Sequence, residues 1–154
     1  MHGQFLSKIM FTGVVTLKPD DTVERGLELL KKNNLRVLPV VGQDGVFIGM
    51  FGIQEIFEHV VPLAGIYAES LGFAVGAAPD IAARLREFFP LRAEEFTERN
   101  VFRLKPETHT WEALRALVKY GSPLAVVEQD TGRFVGLISE QSAMEALLSI
   151  QKQS

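Results

Sequence analysis

The sequence contains no cysteine, which excludes disulfides, thiolate nucleophiles and cysteine-ligated zinc together. Histidine is scarce as well. His2, His59 and His109 lie far apart with no His-x-x-x-His spacing, so no metal site is expected. Charge of one sign is also missing: 16 basic against 19 acidic residues leave a net charge of −3 over 154 residues. That balance is too even to draw nucleic acid or anionic lipid by bulk field, and neither is expected as a partner. Residues 1–10 hold one lysine and no apolar core of signal-peptide length, which points to the cytoplasm. The longest apolar stretch, Val60 to Ala78, has Glu69 as its only charge but is broken by Pro62, Gly65, Gly72 and Gly76. It reads as a buried or partner-facing helix pair rather than a membrane span.

What is present is a globular composition, 47% hydrophobic and 23% charged, organised by an internal repeat. Val14, Leu17, Lys18, Pro19 and Leu27 recur as Val101, Leu104, Lys105, Pro106 and Leu114 at an offset of 87. Leu38, Val40, Val41, Gln43 and Asp44 recur as Leu124, Val126, Val127, Gln129 and Asp130 at an offset of 86. Gly45, Phe47 and Gly49 then recur as Gly132, Phe134 and Gly136 at 87 again. Gaps that cancel inside a turn are what a duplicated fold tolerates.

Each copy reads as β-α-β-β-α. An extended run (Val14 to Leu17; Val101 to Leu104) ends at Lys-Pro, and an amphipathic helix follows. In copy one Asp21-x-x-Glu24 forms a capping box, with Val23, Leu27 and Leu30 on one face. In copy two the stripe is Trp111, Leu114, Leu117 and Val118. Two apolar strands flank an Asp/Gly turn: Val37 to Val41 and Val46 to Phe51, then Leu124 to Val127 and Phe134 to Ile138. Closing helices begin near Gln54 and Glu140. A copy of roughly 50 residues buries too little core to stand alone, so the two are expected to pack as one pseudo-two-fold unit. The fold class is α+β, with repeat one over 1–60, a helical insert over 61–94 and repeat two over 95–154. In the insert, Ile81, Leu85, Phe88 and Phe89 share a helical face between Pro79-Asp80 and Pro90; Ile66, Tyr67, Leu71 and Phe73 suggest a shorter helix before it.

The residues Leu38-Pro39-Val40-Val41, Asp44-Gly45 and Gly49-Met50-Phe51-Gly52-x-x-Glu55 carry a resemblance. So do Leu124-Ala125-Val126-Val127, Asp130-x-Gly132 and Gly136-Leu137-Ile138-Ser139-x-x-Ser142. Twice over, the pattern resembles the CBS domain family: an apolar-Pro-Val-Val strand, a turn, and Gly-apolar-Thr/Ser-x-x-Asp. The resemblance implies a CBS pair of free-standing type, which binds AMP, ADP, ATP or S-adenosylmethionine as a regulatory ligand in clefts between its modules and requires no cofactor. It also implies a homodimer, in which the apolar insert takes part, and an unknown regulated protein as partner. A hydroxyl at a strand-to-helix turn would receive phosphate beside free backbone N–H groups. The carboxylate one turn on would hold ribose.

Carried onto this sequence, the better site comprises Thr108, Ala113, Ser122, Pro123, Leu137, Ser139 and Ser142. It keeps the hydroxyl at Ser139 and loses the carboxylate to Ser142. The weaker site comprises Asp21, Arg36, Val37, Gly52 and Glu55. Gly52 replaces the hydroxyl, Glu55 replaces the aspartate, and Asp21 would repel a phosphate that Arg36 would attract. No nucleophile–base pair is suggested by spacing, and Gly45, Gly49 and Gly52 do not make a dinucleotide fingerprint, so catalysis is not expected. Two readings stand: an adenosine-ligand sensor, or a dimerisation and interaction module whose clefts have decayed.

Overall fold

The structure is a computed structural model that describes residues 2–61 and 78–153. The expected short helix around Ile66 to Phe73, and most of the Val60 to Ala78 stretch, lie outside the described residues. The described chain forms two compact units. Residues 2–14, 42–47 and 100–153 form a copy-two unit, and residues 15–41, 48–61 and 78–99 a copy-one unit.

In the copy-two unit, α1 (His2–Ile9) leads into β1 (Met10–Phe11). Then come β5 (Arg103–Leu104), α5 (Thr110–Tyr120), β6 (Leu124–Val127), β7 (Phe134–Ile138) and α6 (Glu140–Gln153). The sheet order is β1-β7-β6-β5. β5 runs parallel to β6 with Leu104 beside Val126; β6 and β7 are antiparallel with Leu124 beside Ile138. Leu6, Ile9, Leu104, Leu117, Val126 and Ile138 form the core, with Ala113 and Ala116 bringing α5 close to the sheet.

In the copy-one unit, α2 (Val23–Lys32) precedes β2 (Val37–Val41) and β3 (Phe47–Gly52), whose first residue belongs with copy two. Residues 53–61 are helical (α3), and α4 (Ala78–Glu87) leads through a short 3-10 turn, Ala93–Phe96, to β4 (Thr97–Glu98). The sheet order is β2-β3-β4, and Leu17 makes a parallel bridge to Val40 that matches Leu104 beside Val126. Leu17, Val23, Leu30, Leu38, Val40, Phe51, Ile56 and Phe96 are buried together, with Ile81, Leu85 and Phe88 of the insert packed against them.

The duplication reaches further upstream than the motifs. β1 pairs with β7 as Met10 with Ile138 and Phe11 with Leu137; β4 pairs with β3 as Thr97 with Phe51 and Glu98 with Met50. Residues 10 and 97 are equivalent at the 87-residue offset, so each copy lends its first short strand to the other copy's last strand. Buried Leu6 and Ile9 correspond in the same way to buried Ala93 and Phe96.

Three local expectations change. The extended run of copy one shrinks to the bridge at Leu17, and that of copy two to Arg103–Leu104. The cap of α2 is Thr22, whose Oγ1 accepts the Arg25 N–H at 3.1 Å, rather than Asp21. Asp21 is already committed, its Oδ2 accepting the Lys18 N–H at 2.9 Å. On α5, Leu117 is buried, but Trp111 is 64% and Val118 88% exposed. The small side chains of Ala113 and Ala116 turn that helix toward the core, leaving the Trp111–Val118 edge outside.

Candidate functional site

Each unit has a junction where its last strand turns into its closing helix. In copy two this is Ile138-Ser139-Glu140. Ser139 Oγ accepts the Ser142 N–H at 3.0 Å, and Ser142 Oγ accepts the Ser139 N–H at 3.0 Å. The reciprocal pair is a capping box built from two serines. The Ser142 hydroxyl also donates to the Ser139 carbonyl at 3.1 Å. The next N–H, that of Glu140, donates to Ser122 Oγ at 3.1 Å, across from the start of β6. The Ser122–Pro123 peptide bond is cis. Ser122, Pro123, Ser139 and Ser142 thus stand around one helix start, each partly accessible. Leu137 lies just behind them and is buried.

Thr108 does not join this group. With Leu104 beside Val126 and Ile138 beside Leu124, Thr108 and Ser139 belong to opposite ends of β6. That is about 13 Å of strand. Thr108 Oγ1 instead accepts the Lys105 N–H at 3.0 Å and closes the turn at the Lys-Pro. Ala113, on the inner face of α5, is wholly buried in the core. The expected seven-residue cluster is therefore divided, because α5 must run back along the sheet between Thr108 and Ser122. A hollow of about 270 Å³ lies at the Thr108 end, lined by Arg103, Lys105, Glu128 and Phe47, with the Arg103 guanidinium 4.9 Å from the Phe47 ring centre.

Copy one repeats the geometry with different atoms. Asp21 makes the same Lys-Pro turn as Thr108, and its carbonyl accepts the Ala93 N–H at 2.7 Å. It is likewise separated from Gly52, since Leu17 bridges Val40 rather than the start of β2. Arg36, Val37 and Gly52 do come together: the Ile53 N–H donates to the Arg36 carbonyl at 3.2 Å. A Cβ added at Gly52 would lie 2.9 Å from Val37 Cγ1 and 3.2 Å from the Arg36 oxygen. Glu55, half-buried on the first turn of α3, has its carboxyl held above the ordinary glutamate range. Burial is the main cause, then the Glu58 and Glu98 charges and a hydrogen bond with Glu98, with His59 opposing.

A groove of about 540 Å³ beside the copy-two junction was not anticipated from the motifs. Ser142 lines it with Lys8, Met10, Phe11, Glu145 and Ile150. The signal that could have found it is the upstream extension of the repeat, which aligns Leu6 and Ile9 with Ala93 and Phe96. Among the described residues no group of three His, Asp or Glu side chains is placed to hold a metal ion. No helix among them is long and apolar enough to cross a membrane.

A duplicated β-α-β-β-α chain with exchanged first strands and a strand–helix junction in each copy, ringed by serines in copy two, defines a class of paired module. The family model for the CBS domain matches residues 6–62 and again 93–149, and the chain belongs to that family. An uncharacterized protein of Methanocaldococcus jannaschii, MJ1426, is 22% identical over 157 residues, covering 93% of this chain and 90% of its own. Among solved structures, the CBS-pair protein CBSX2 from Arabidopsis thaliana superposes with a TM-score of 0.74 at 18% identity, covering 99% of this chain and 97% of its own. CBSX2 in complex with AMP gives 0.69, at 18% identity and 97% coverage of both chains. CbpB in complex with c-di-AMP gives 0.71, at 16% identity, covering 96% of this chain and 87% of its own.

Proposed function

We propose that this chain is a non-catalytic regulatory module that binds an adenine nucleotide at the copy-two junction and signals its bound state to a separate protein. The observation that carries the reading is the gathering of Ser122, Ser139 and Ser142 around the first turn of α6. Hydroxyls can turn from accepting backbone N–H groups to donating to phosphate oxygens, and a helix N-terminus favours the negative charge they would surround. The adjoining groove falls within the roughly 300–1,000 Å³ of small-molecule sites, and Lys8 supplies it with a cation. CBSX2 with AMP and CbpB with c-di-AMP, both of this fold, supply the ligand class.

A thermal-shift panel of AMP, ADP, ATP, NAD, c-di-AMP and S-adenosylmethionine tests this. A ligand at a hundred times its dissociation constant adds about 2.7 kcal/mol, a rise of a few degrees for a chain of this size. No shift with any of them at millimolar concentration overturns the reading.

The second reading, a dimerising interaction module, is favoured by the apolar surface of the two copy-two helices. Trp111 and Val118 on α5, and Met144 and Leu148 on α6, are all exposed. This surface suits a second copy of the chain, and the two readings are compatible. Sedimentation over a range of concentrations separates a dimer from a monomer.

A further inference from the structure

We propose that each chain takes one nucleotide and not two, because the copy-one junction is closed by main chain while the copy-two junction is closed by a side chain that can move. The proposal rests on the nucleotide reading above and adds to it which junction is occupied and what decides it.

In both copies the first N–H of the closing helix already has an acceptor. Ile53 and Glu140 are equivalent at the 87-residue offset, and their acceptor residues, Arg36 and Ser122, at 86. Copy one uses the Arg36 carbonyl, fixed where the chain enters β2. Freeing the Ile53 N–H would require the backbone of residue 36 to draw away from Ile53 and leave both groups seeking new partners. Copy two uses Ser122 Oγ. A rotation about χ1 withdraws that hydroxyl, exposes the Glu140 N–H and leaves the hydroxyl able to donate to the same anion.

Space and charge point the same way. Copy one lacks room at residue 52 even for a methyl group, against Val37 Cγ1 and the Arg36 oxygen, whereas Ser139 places a hydroxyl at the equivalent position. Glu55, Glu58 and Glu98 interact around the start of α3, with His59 as a partial counterweight. Glu55 resists ionisation there through burial first and the Glu58 and Glu98 charges next, and both causes oppose a phosphate dianion as well. Around the copy-two junction the carboxylates are Glu140, exposed at the first position of α6, and Glu145, which accepts from Gln141 Nε2 at 3.2 Å. Lys8 stands with Glu145 in the groove.

Isothermal titration of AMP into the full chain tests the proposal, with thermal unfolding of every variant confirming its fold. The expected result is one AMP per chain, with Ser139→Ala weakening it roughly tenfold and Ser139→Thr retaining it. Glu58→Lys turns a repelling charge at copy one into an attracting one and should still show a single site, since the carbonyl of Arg36 is unchanged. Two AMP per chain in the wild type, or a second site in Glu58→Lys, overturns the proposal. So does a single site indifferent to Ser139→Ala. Absence of AMP binding by the wild type overturns this proposal, and absence of binding to every nucleotide of the thermal-shift panel overturns the nucleotide reading as well; a count of two leaves that reading standing and sinks only this one.

Discussion

Ser139 and Ser142 cap each other: each hydroxyl accepts the other's main-chain N–H, both at 3.0 Å. The same hydroxyl at 139 therefore has a structural role and, on the reading above, a ligand-binding one. A substitution that keeps one role and destroys the other separates them.

Ser139→Ala removes the acceptor for the Ser142 N–H and should cost about 1 kcal/mol. That corresponds to roughly 2–4 °C in melting temperature for a chain of this length. Ser139→Asp should hold the melting temperature, because a carboxylate is as good a cap and favours the positive end of α6. Its charge should nevertheless abolish AMP binding. Differential scanning fluorimetry with and without AMP reads both outcomes; binding retained in Ser139→Asp would show that phosphate does not sit at this junction.

Gly49 and Gly136, equivalent at the 87-residue offset, are both places where a short borrowed strand passes close to the last strand of a copy. A Cβ at Gly49 would lie 2.3 Å from the Glu98 carbonyl oxygen, and one at Gly136 would lie 2.7 Å from that of Phe11. Both oxygens are backbone and cannot turn aside. Gly49→Ala and Gly136→Ala should each cost about 1–3 kcal/mol through forced displacement of β4 or β1. Urea unfolding measures this, and a loss below half a kcal/mol would mean that the edge strands are free to shift.

That pairing also marks where sequence reading stops. The strands Val37–Val41, Leu124–Val127 and Phe134–Ile138 were legible to the residue, because each is a short apolar run bounded by turn residues. β1 and β4 are two residues long and carry no alternation of their own. Their strand state exists only through pairing with a distant segment, which local pattern does not encode. The junction hydroxyls were legible as a motif, whereas the distance of Thr108 from Ser139 needed the parallel register of β5 and β6. Trp111 and Val118 misled because large apolar residues at helical spacing suggest a core face, yet the smaller Ala113 and Ala116 occupy it.

Glu55 should leave a mark on the pH dependence of stability. Its carboxyl pKa is raised in the folded chain from an ordinary value of 4.5, by burial first and by Glu58 and Glu98 next. The native state therefore keeps the proton to higher pH than the unfolded chain does. Its stabilising contribution is full below the ordinary glutamate value and is lost as pH rises through the raised one. Glu55→Gln, which cannot ionise, should be more stable than the wild type at pH 7 and lose that advantage near pH 4. Urea midpoints from pH 4 to 7 follow the difference; a gap that does not grow with pH would show that Glu55 ionises as freely in the folded chain as in the unfolded one.

The exposed edge of α5 offers the last test. Trp111 and Val118 are seven residues apart and so lie on one helical face, with the Arg115 guanidinium 5.8 Å from the Trp111 ring centre between them. Neither residue contributes to the copy-two core, so replacing Val118 by glutamate should change the unfolding free energy of an isolated chain by no more than about 0.5 kcal/mol. If a second copy covers this face, the same change places an unpaired charge in an apolar contact, and dissociation should become at least roughly tenfold easier. Sedimentation equilibrium of the wild type and Val118→Glu at matched concentrations compares the two. A dimer that survives Val118→Glu unweakened would move the self-association surface elsewhere on the chain.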